Sequence, residues 1–596
     1  MKANSDKSKQ RNKATHRVLA GVLCGASVLS LVLSLVMPPI SQAIANDSQP
    51  VSTEEAAMGE SSSESTGVDD TTNGDTENQN SNDAEGDETG DDASEADPLS
   101  DDTEAEGAAQ PVDDGADDES AIAPANVNAS GYIEIKDEIT NAFTNGGSYC
   151  LTGDAWSTAP ITISQNTTID LAGHKLYYRA GNNDTFIRVT SGALTIEDSA
   201  TPVDMPSFVS DKNTGRLASM AWDGNNNATL AYYVTTSNPN ADGLGTTETT
   251  TQHVVSGFGA IVAASDSGSV KQVISVEDGG TLNLNGGMIT TPRTLGNDGH
   301  VIFSQGTVNI SGGYVTNGSG GGWGGGLCVT GANASLNMTG GVVAANMAAS
   351  GGGIYADKSA KLNLSGGVIS GNATYGNAYD DGDNPNNGYG GGVFTKKADV
   401  TISGTANITN NRVDSYITKS YNNGLLGGGG IASVNGGTLT MVGGSVTANY
   451  SHEAGGGIYA GFYGQGIQFA MSGGIIAGNM SENAEGGGLR ISGGTNGVIE
   501  AADTSNKVYI TNNKTMTGSQ NGRGGDWGGG GVFVQATGKL NLRAALVTKN
   551  DAGGWGGGIG ACPTGQTIVT HTNGSAIYNN TDHGEHFSAG GNGKNE

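Results

Sequence analysis

Residues 335–354 read Ser335-Leu336-Asn337-Met338-Thr339-Gly340-Gly341-Val342-Val343-Ala344-Ala345-Asn346-Met347-Ala348-Ala349-Ser350-Gly351-Gly352-Gly353-Ile354. Three features follow one another here: a short alternating strand ending in Gly-Gly, an apolar pair closing on asparagine, and three glycines before an aliphatic residue. The first recurs at Thr281–Gly287, Thr307–Gly313, Lys361–Gly367, Thr438–Gly444 and Gln468–Gly474. The asparagine recurs at Asn372, Asn449 and Asn479, and in less regular copies at Asn411, Asn513, Asn550 and Asn580. The glycine triplet precedes Leu327, Val393, Ile431, Ile458, Leu489, Val532 and Ile559 as well as Ile354.

The compact copies repeat every 26 to 30 residues, a period that signals stacked supersecondary units. Apolar residues follow period two over three to five positions, glycine interrupts every run, and β-branched residues, Asn and Thr fill the rest, which excludes helices. Three short strands per repeat, joined by turns too tight for a helix, describe one coil of a right-handed, single-stranded parallel β-helix. At ~4.8 Å per coil, about twelve coils make a rod of about 50–60 Å. Leu282, Val308, Leu336, Leu362 and Leu540 are expected to stack in the bore. Each station asparagine is expected to adopt a left-handed conformation at an inward turn and to bond the next coil, giving a ladder. The alternative is a row of glycan-bearing asparagines, since several copies read Asn-x-Ser/Thr.

The alternation extends upstream to Pro160–Ile163, Thr168–Leu176 and Gly192–Ser199, read as the first coils, with Ile133–Phe143 as a short cap over the open end. Between about 200 and 270 the pattern gives way to Asn, Thr and Gly, which reads as a loop-rich insertion. The β-helix domain thus spans 129–596.

Two segments precede it. Residues 1–45 carry six basic residues and then an apolar run from Val18 to Met37, followed by Ala43-Ile44-Ala45. This is a signal peptide cleaved after Ala45, or alternatively an uncleaved anchor, the one route by which the chain would contact a membrane. Residues 46–125 hold 26 acidic residues and no Lys or Arg, so self-repulsion and low hydrophobicity make them a disordered acidic linker. Residues beyond 125 hold 33 acidic against 22 basic residues, which argues against nucleic acid as a partner. Only Cys150, Cys328 and Cys562 follow the signal segment, too few and too scattered for a disulfide framework, and Cys328 and Cys562 are placed about eight coils apart. Localisation is expected to be secreted or cell-surface, and the chain a monomer without cofactor.

Val342–Asn346 followed by Gly351–Tyr355 resembles the repeat of polymorphic outer-membrane and related bacterial β-helix surface proteins, which share the pectate-lyase-like fold. Ile169-Asp170-Leu171-Ala172-Gly173-His174-Lys175-Leu176 resembles the opening coils of large secreted β-helix proteins of Gram-positive bacteria. The resemblance covers about Gly147 to the end, excluding the insertion, and implies fold more than function. Neither a C-terminal membrane-barrel pattern nor an LPxTG-type sorting motif occurs before Glu596, so no anchor is assigned.

Catalysis on such folds resembles one scheme: paired carboxylates on outward positions of neighbouring coils. The outward row Asn283, Asn309, Asn337, Asn363, Thr401, Thr440, Ala470, Asn541, Thr570 has no acid, and neither has Cys328, Tyr355, Phe394, Ala432, Tyr459, Arg490, Phe533, Gly560 after the triplets. Asp380, Asp381 and Asp383 form a weak calcium candidate without a downstream bidentate glutamate. His174 and His300 have no acidic or cysteine partners at ligand spacing in the sequence and are read as structural or exposed. Long insertions at Ala373–Tyr389, Arg412–Leu426 and Lys514–Trp527 all fall between the asparagine and the triplet, hence on one edge. Trp323, Tyr389, Trp527 and Trp555 lie on that edge, and aromatic faces spaced along a groove suit sugar rings. The alternative is that each ring covers backbone bared by glycine. The resulting expectation is an adhesin-like scaffold for glycans or host-surface molecules. The alternatives are a polysaccharide lyase or glycoside hydrolase, and a purely structural spacer.

Overall fold

The computed structural model describes residues 128–583, apart from 140–142, 180–183, 224–226, 264–269, 293–298, 321, 376–387, 415–425, 463–464, 504–505, 517–526 and 571–574. The signal segment with Ala45, the acidic linker and the calcium candidate Asp380, Asp381 and Asp383 lie outside the described residues.

Among the described residues there is no helix, and the repeat folds as a parallel β-helix. The strand after each glycine triplet joins a 12-stranded parallel sheet, one strand per coil, from Ile161–Ile163 to Ile559–Ala561. This matches the coil count expected from the period. In the central coil, Leu327–Thr330 belongs to that sheet, and Ser335–Ala344 belongs to a 22-stranded sheet that bends at Gly340-Gly341. Met347–Ala348 belongs to a third, 8-stranded sheet of two-residue strands. Two residues carry no periodicity, so this last rung leaves no pattern in the sequence.

Period two decides which side chains enter the bore. Leu282, Val308, Leu336 and Leu362 are direct register partners, continued through Val400, Leu439, Phe469 and Gly497 to Leu540, and the five predicted residues are at most 1% exposed. The asparagines form a continuous ladder. From Asn346 through Asn372, Asn411, Asn449, Asn479, Asn513 and Asn550 to Asn580, each Nδ2 donates to the next Oδ1 at 2.9–3.1 Å. Asn372, Asn449, Asn479 and Asn513, the copies reading Asn-x-Ser/Thr, are fully buried and closed to a glycan.

The ladder corrects one expectation. The left-handed residue is not the asparagine but its predecessor: Ala345 (φ 58°), Asn410 (φ 55°), Ala448 (φ 51°), Asn512 (φ 55°) and Lys549 (φ 57°). The turn is made one residue early, which leaves the asparagine main-chain N–H free to donate to the Oδ1 of the next coil, as Asn449 does to Asn479 at 3.0 Å. The triplet packs against this ladder. Gly351 is left-handed (φ 63°), and a Cβ on Gly353 would lie 2.6 Å from Gly392 O and 3.1 Å from Asn372 Cγ.

Ile133–Glu138 caps the stack by adding as a parallel strand to Gly147–Ser157, with Phe143 buried edge-on against Tyr149. The segment read as a loop-rich insertion holds a five-stranded antiparallel sheet, dominated by a hairpin of Ala228–Pro239 and Thr246–Ser256. Its Thr-, Asn- and Tyr-rich strands lack clean alternation because the hairpin buries different faces along its length.

Candidate functional site

The outward row of the 12-stranded sheet is not solvent-facing. Cys328, Tyr355, Phe394, Ala432, Tyr459, Arg490 and Phe533 are register partners on successive strands, and none is more than 6% exposed. They pack under the residues that precede the triplets, including Tyr389, Leu426, Ala454 and Ala484, and form a second apolar layer outside the bore. Alternation turns this row outward from the bore, and the pre-triplet residues, which carry no periodic signature, cover it.

Ring contacts join this layer end to end. Trp323 meets Tyr355 at 5.0 Å, Tyr355 meets Phe394 at 5.4 Å, Phe394 stacks on Tyr389 at 5.3 Å, and Tyr389 meets Tyr459 edge-on at 5.9 Å. The Arg490 guanidinium lies 5.5 Å from the Tyr459 ring and 5.7 Å from that of Phe533, and Phe533 meets Trp555 at 5.6 Å. Arg490 is 1% exposed, and Glu485 Oε2 at 3.0 Å neutralises it, which offsets part of the cost of burying a cation. Burial pushes the Tyr389 hydroxyl well above the ordinary tyrosine range.

The four predicted residues therefore separate into two kinds. Tyr389 and Trp527 are buried within the edge, whereas Trp323 and Trp555, at the two ends of the spine, are half-buried. Trp527 stands one residue earlier than the other three, because its glycine run begins at Gly528 and the left-handed glycine of its triplet is Gly529. Its carbonyl accepts from Thr515 Oγ1 at 2.7 Å and from the Gly554 N–H at 3.0 Å. The Trp555 indole occupies space that only glycine leaves: a Cβ on Gly528 would lie 2.7 Å from its Cδ2, and one on Gly560 2.9 Å from its Cζ3. Lys396 Nζ sits 5.6 Å from the Trp323 ring. The structure brings Tyr389 into the same cluster as Trp323, and among the described residues Arg490 links the spine to Phe533 and so to Trp555.

The strand register revises the first outward row, in which Val498 falls between Ala470 and Asn541, and Ile568, not Thr570, follows Asn541. Upstream of Asn283 the same row continues through Thr195, Thr168 and Ser148, and two residues further along these strands the register aligns a separate column that holds acids. Glu134, Cys150, Asp170 and Glu197 are register partners on four successive strands of the first coils. Adjacent partners stand ~4.8 Å apart. The Tyr132 hydroxyl donates to Glu197 Oε2 at 3.3 Å, and the Cys150 thiol reaches Asp170 Oδ2 at 4.0 Å. Asp170 Oδ1 accepts the main-chain N–H groups of Ala172 and Ser199, so this carboxylate also holds a turn. Burial, then Asp170 and Glu134, push the Cys150 thiol up. The signal was present: Ile169-Asp170-Leu171 and Ile196-Glu197-Asp198 place an acid at the same point of the alternating strand.

His174 Nδ1 lies 3.9 Å from Asp154 Oδ1 at the surface, while His300 is buried with its Nδ1 2.8 Å from Gly324 O. Cys150, Cys328 and Cys562 are free thiols. Cys328 lies in the column that ends at Gly560, seven strand steps on, and Cys562 stands two residues beyond that column, one step closer than the eight coils expected. No protein-family model, no curated protein and no solved structure matches this chain.

Proposed function

We propose that this chain is a secreted or surface-displayed β-helix scaffold that binds glycans or host-surface molecules along the triplet edge. The observation that carries this reading is the aromatic spine, whose buried interior holds Trp323 and Trp555 half-exposed on one edge of the coil stack. A rigid apolar ring face with polar neighbours such as Lys396 is the chemistry that stacks on a sugar. The signal-like N-terminus, the acidic linker and the repeat's resemblance to bacterial surface β-helices support display outside the cell. Stacking on one ring contributes about 0.5–1.5 kcal/mol beyond burial, so affinity should be weak for single sugars and rise with chain length. The test is tryptophan fluorescence during titration with oligosaccharides and mucin-type glycans. A response lost in Trp323→Ala or Trp555→Ala supports the site; an unchanged spectrum across the panel contradicts it.

A second reading, a polysaccharide-active enzyme, is favoured by one observation: Asp170 and Glu197 as direct partners on neighbouring strands. Acids on adjacent strands fall within the range over which a carboxylate pair can divide the roles of nucleophile or base and acid at a glycosidic bond.

A further inference from the structure

The hairpin of Ala228–Pro239 and Thr246–Ser256 crosses the coils instead of extending them. Its root is apolar: Leu230, Tyr232 and Val255 cluster with Val262, Met288, Val342 and Ala344 on the outward face of the 22-stranded sheet. Beyond Tyr232 the contacts turn polar. The Thr235 carbonyl accepts from Asn407 Nδ2 at 3.0 Å and Thr447 Oγ1 at 2.8 Å, and Asn410 Nδ2 donates to Thr235 Oγ1 at 2.9 Å. Further out, Asn512 Nδ2 donates to Glu248 Oε2 at 2.7 Å and Thr246 O at 3.2 Å, and near the tip the Tyr578 hydroxyl donates to Leu244 O at 2.5 Å. The outward column beneath runs from Val262 through Thr290, Thr316, Ala344, Ser370, Thr409, Thr447, Ala477, Thr511 and Thr548 to Tyr578, one residue per coil. A single hairpin therefore touches coils that are separated by several others.

In a stack of repeats each coil otherwise contacts only its neighbours, so stability is a sum of local terms and the end coils open first. We propose that this hairpin is an axial staple that couples the coils from Met288 to Tyr578 into one unfolding unit. The graded contacts give it a fixed root and a tip whose hold depends on a few hydrogen bonds. Two of the rod-side donors, Asn410 and Asn512, are left-handed residues preceding ladder asparagines (φ 55° each), so glycine replaces them without straining the backbone.

The experiment compares native-state hydrogen exchange of the full chain with that of the triple variant Asn410→Gly, Thr447→Val, Asn512→Gly. Loss of these bonds should speed exchange of the outer hairpin, Thr235–Thr250, at least about tenfold. The coils from Asn407 to Tyr578 should lose protection by a similar factor while the bore around Leu282 and Val308 keeps it. An unchanged hairpin, or a loosened hairpin over coils that keep full protection, would overturn the proposal. A second variant replaces 236–249 with a two-residue Asn-Gly turn and leaves the apolar root intact. It should unfold in two thermal transitions where the parent shows one; a single transition at the parent's temperature would again overturn it.

Discussion

Asn479 ties three coils together with one side chain. Its main-chain N–H and its Nδ2 both donate to Asn513 Oδ1, and the same Nδ2 donates to Val446 O at 2.9 Å, all out of contact with water. Removing the amide takes these partners from the Val446 carbonyl and the Asn449 main-chain N–H and one bond from each neighbouring ladder amide, and each unmet buried group costs about 1–3 kcal/mol. Asn479→Ala should therefore lower stability by roughly 3 kcal/mol or more in denaturant unfolding, whereas Asn337→Ala, on the half-exposed outward ladder with Asn309 and Asn363, should cost under about 1 kcal/mol. Equal costs would remove the distinction between inner and outer asparagines. The thiols offer a second residue-level check. Burial, then Asp357, drives the Cys328 thiol far above its ordinary range, so it should resist alkylation in the native protein while the less buried Cys562 reacts first. Mass spectrometry after timed alkylation measures the order. The asparagine station was legible because the residue type recurs; the left-handed turn before it was not, because Ala345, Gly371, Asn410 and Lys549 share no side-chain chemistry.

Among elements, the edge strands show where alternation reads correctly and where it fails. The inward residues of the alternating strands, Leu282, Val308, Leu336, Leu362 and Leu540 among them, were legible from period two alone. The row Tyr355, Phe394, Tyr459 and Phe533 points outward by alternation yet is buried, and four aromatics in one column already exceed what a solvated row carries. Tyr389 is fully buried among Phe394, Tyr459 and Phe462, so Tyr389→Ala should cost about 3–5 kcal/mol. Trp323→Ala, half-exposed at the end of the spine, should cost less than half of that. Thermal denaturation of both variants decides it, and a larger loss for Trp323 would contradict the assignment of spine interior and exposed end. The hairpin eluded the sequence because its strands bury an apolar face near the root and a polar one near the tip, so no single period survives.

For the described chain as a whole, twelve coils share one bore, and its first coils carry Tyr177 and Tyr178 at adjacent positions. Burial, with Asp154 beside Tyr177 and Asp184 beside Tyr178, pushes both hydroxyls up to about 12. A raised folded pKa means that the neutral form is favoured by folding, so this contribution is complete below pH ~10 and is lost as pH rises through ~12. The melting temperature should fall across that window, and a flat profile would contradict the burial of these rings. Between the two functional readings, the decisive measurement pairs retention with chemistry: incubate the full chain with polysaccharides that it retains on a glycan array, and assay for reducing ends and unsaturated uronides. The scaffold account predicts retention that depends on Trp323 and Trp555 with no product formed. Product that appears with the parent chain and vanishes in Asp170→Asn or Glu197→Gln would contradict it and assign the carboxylate pair a catalytic role.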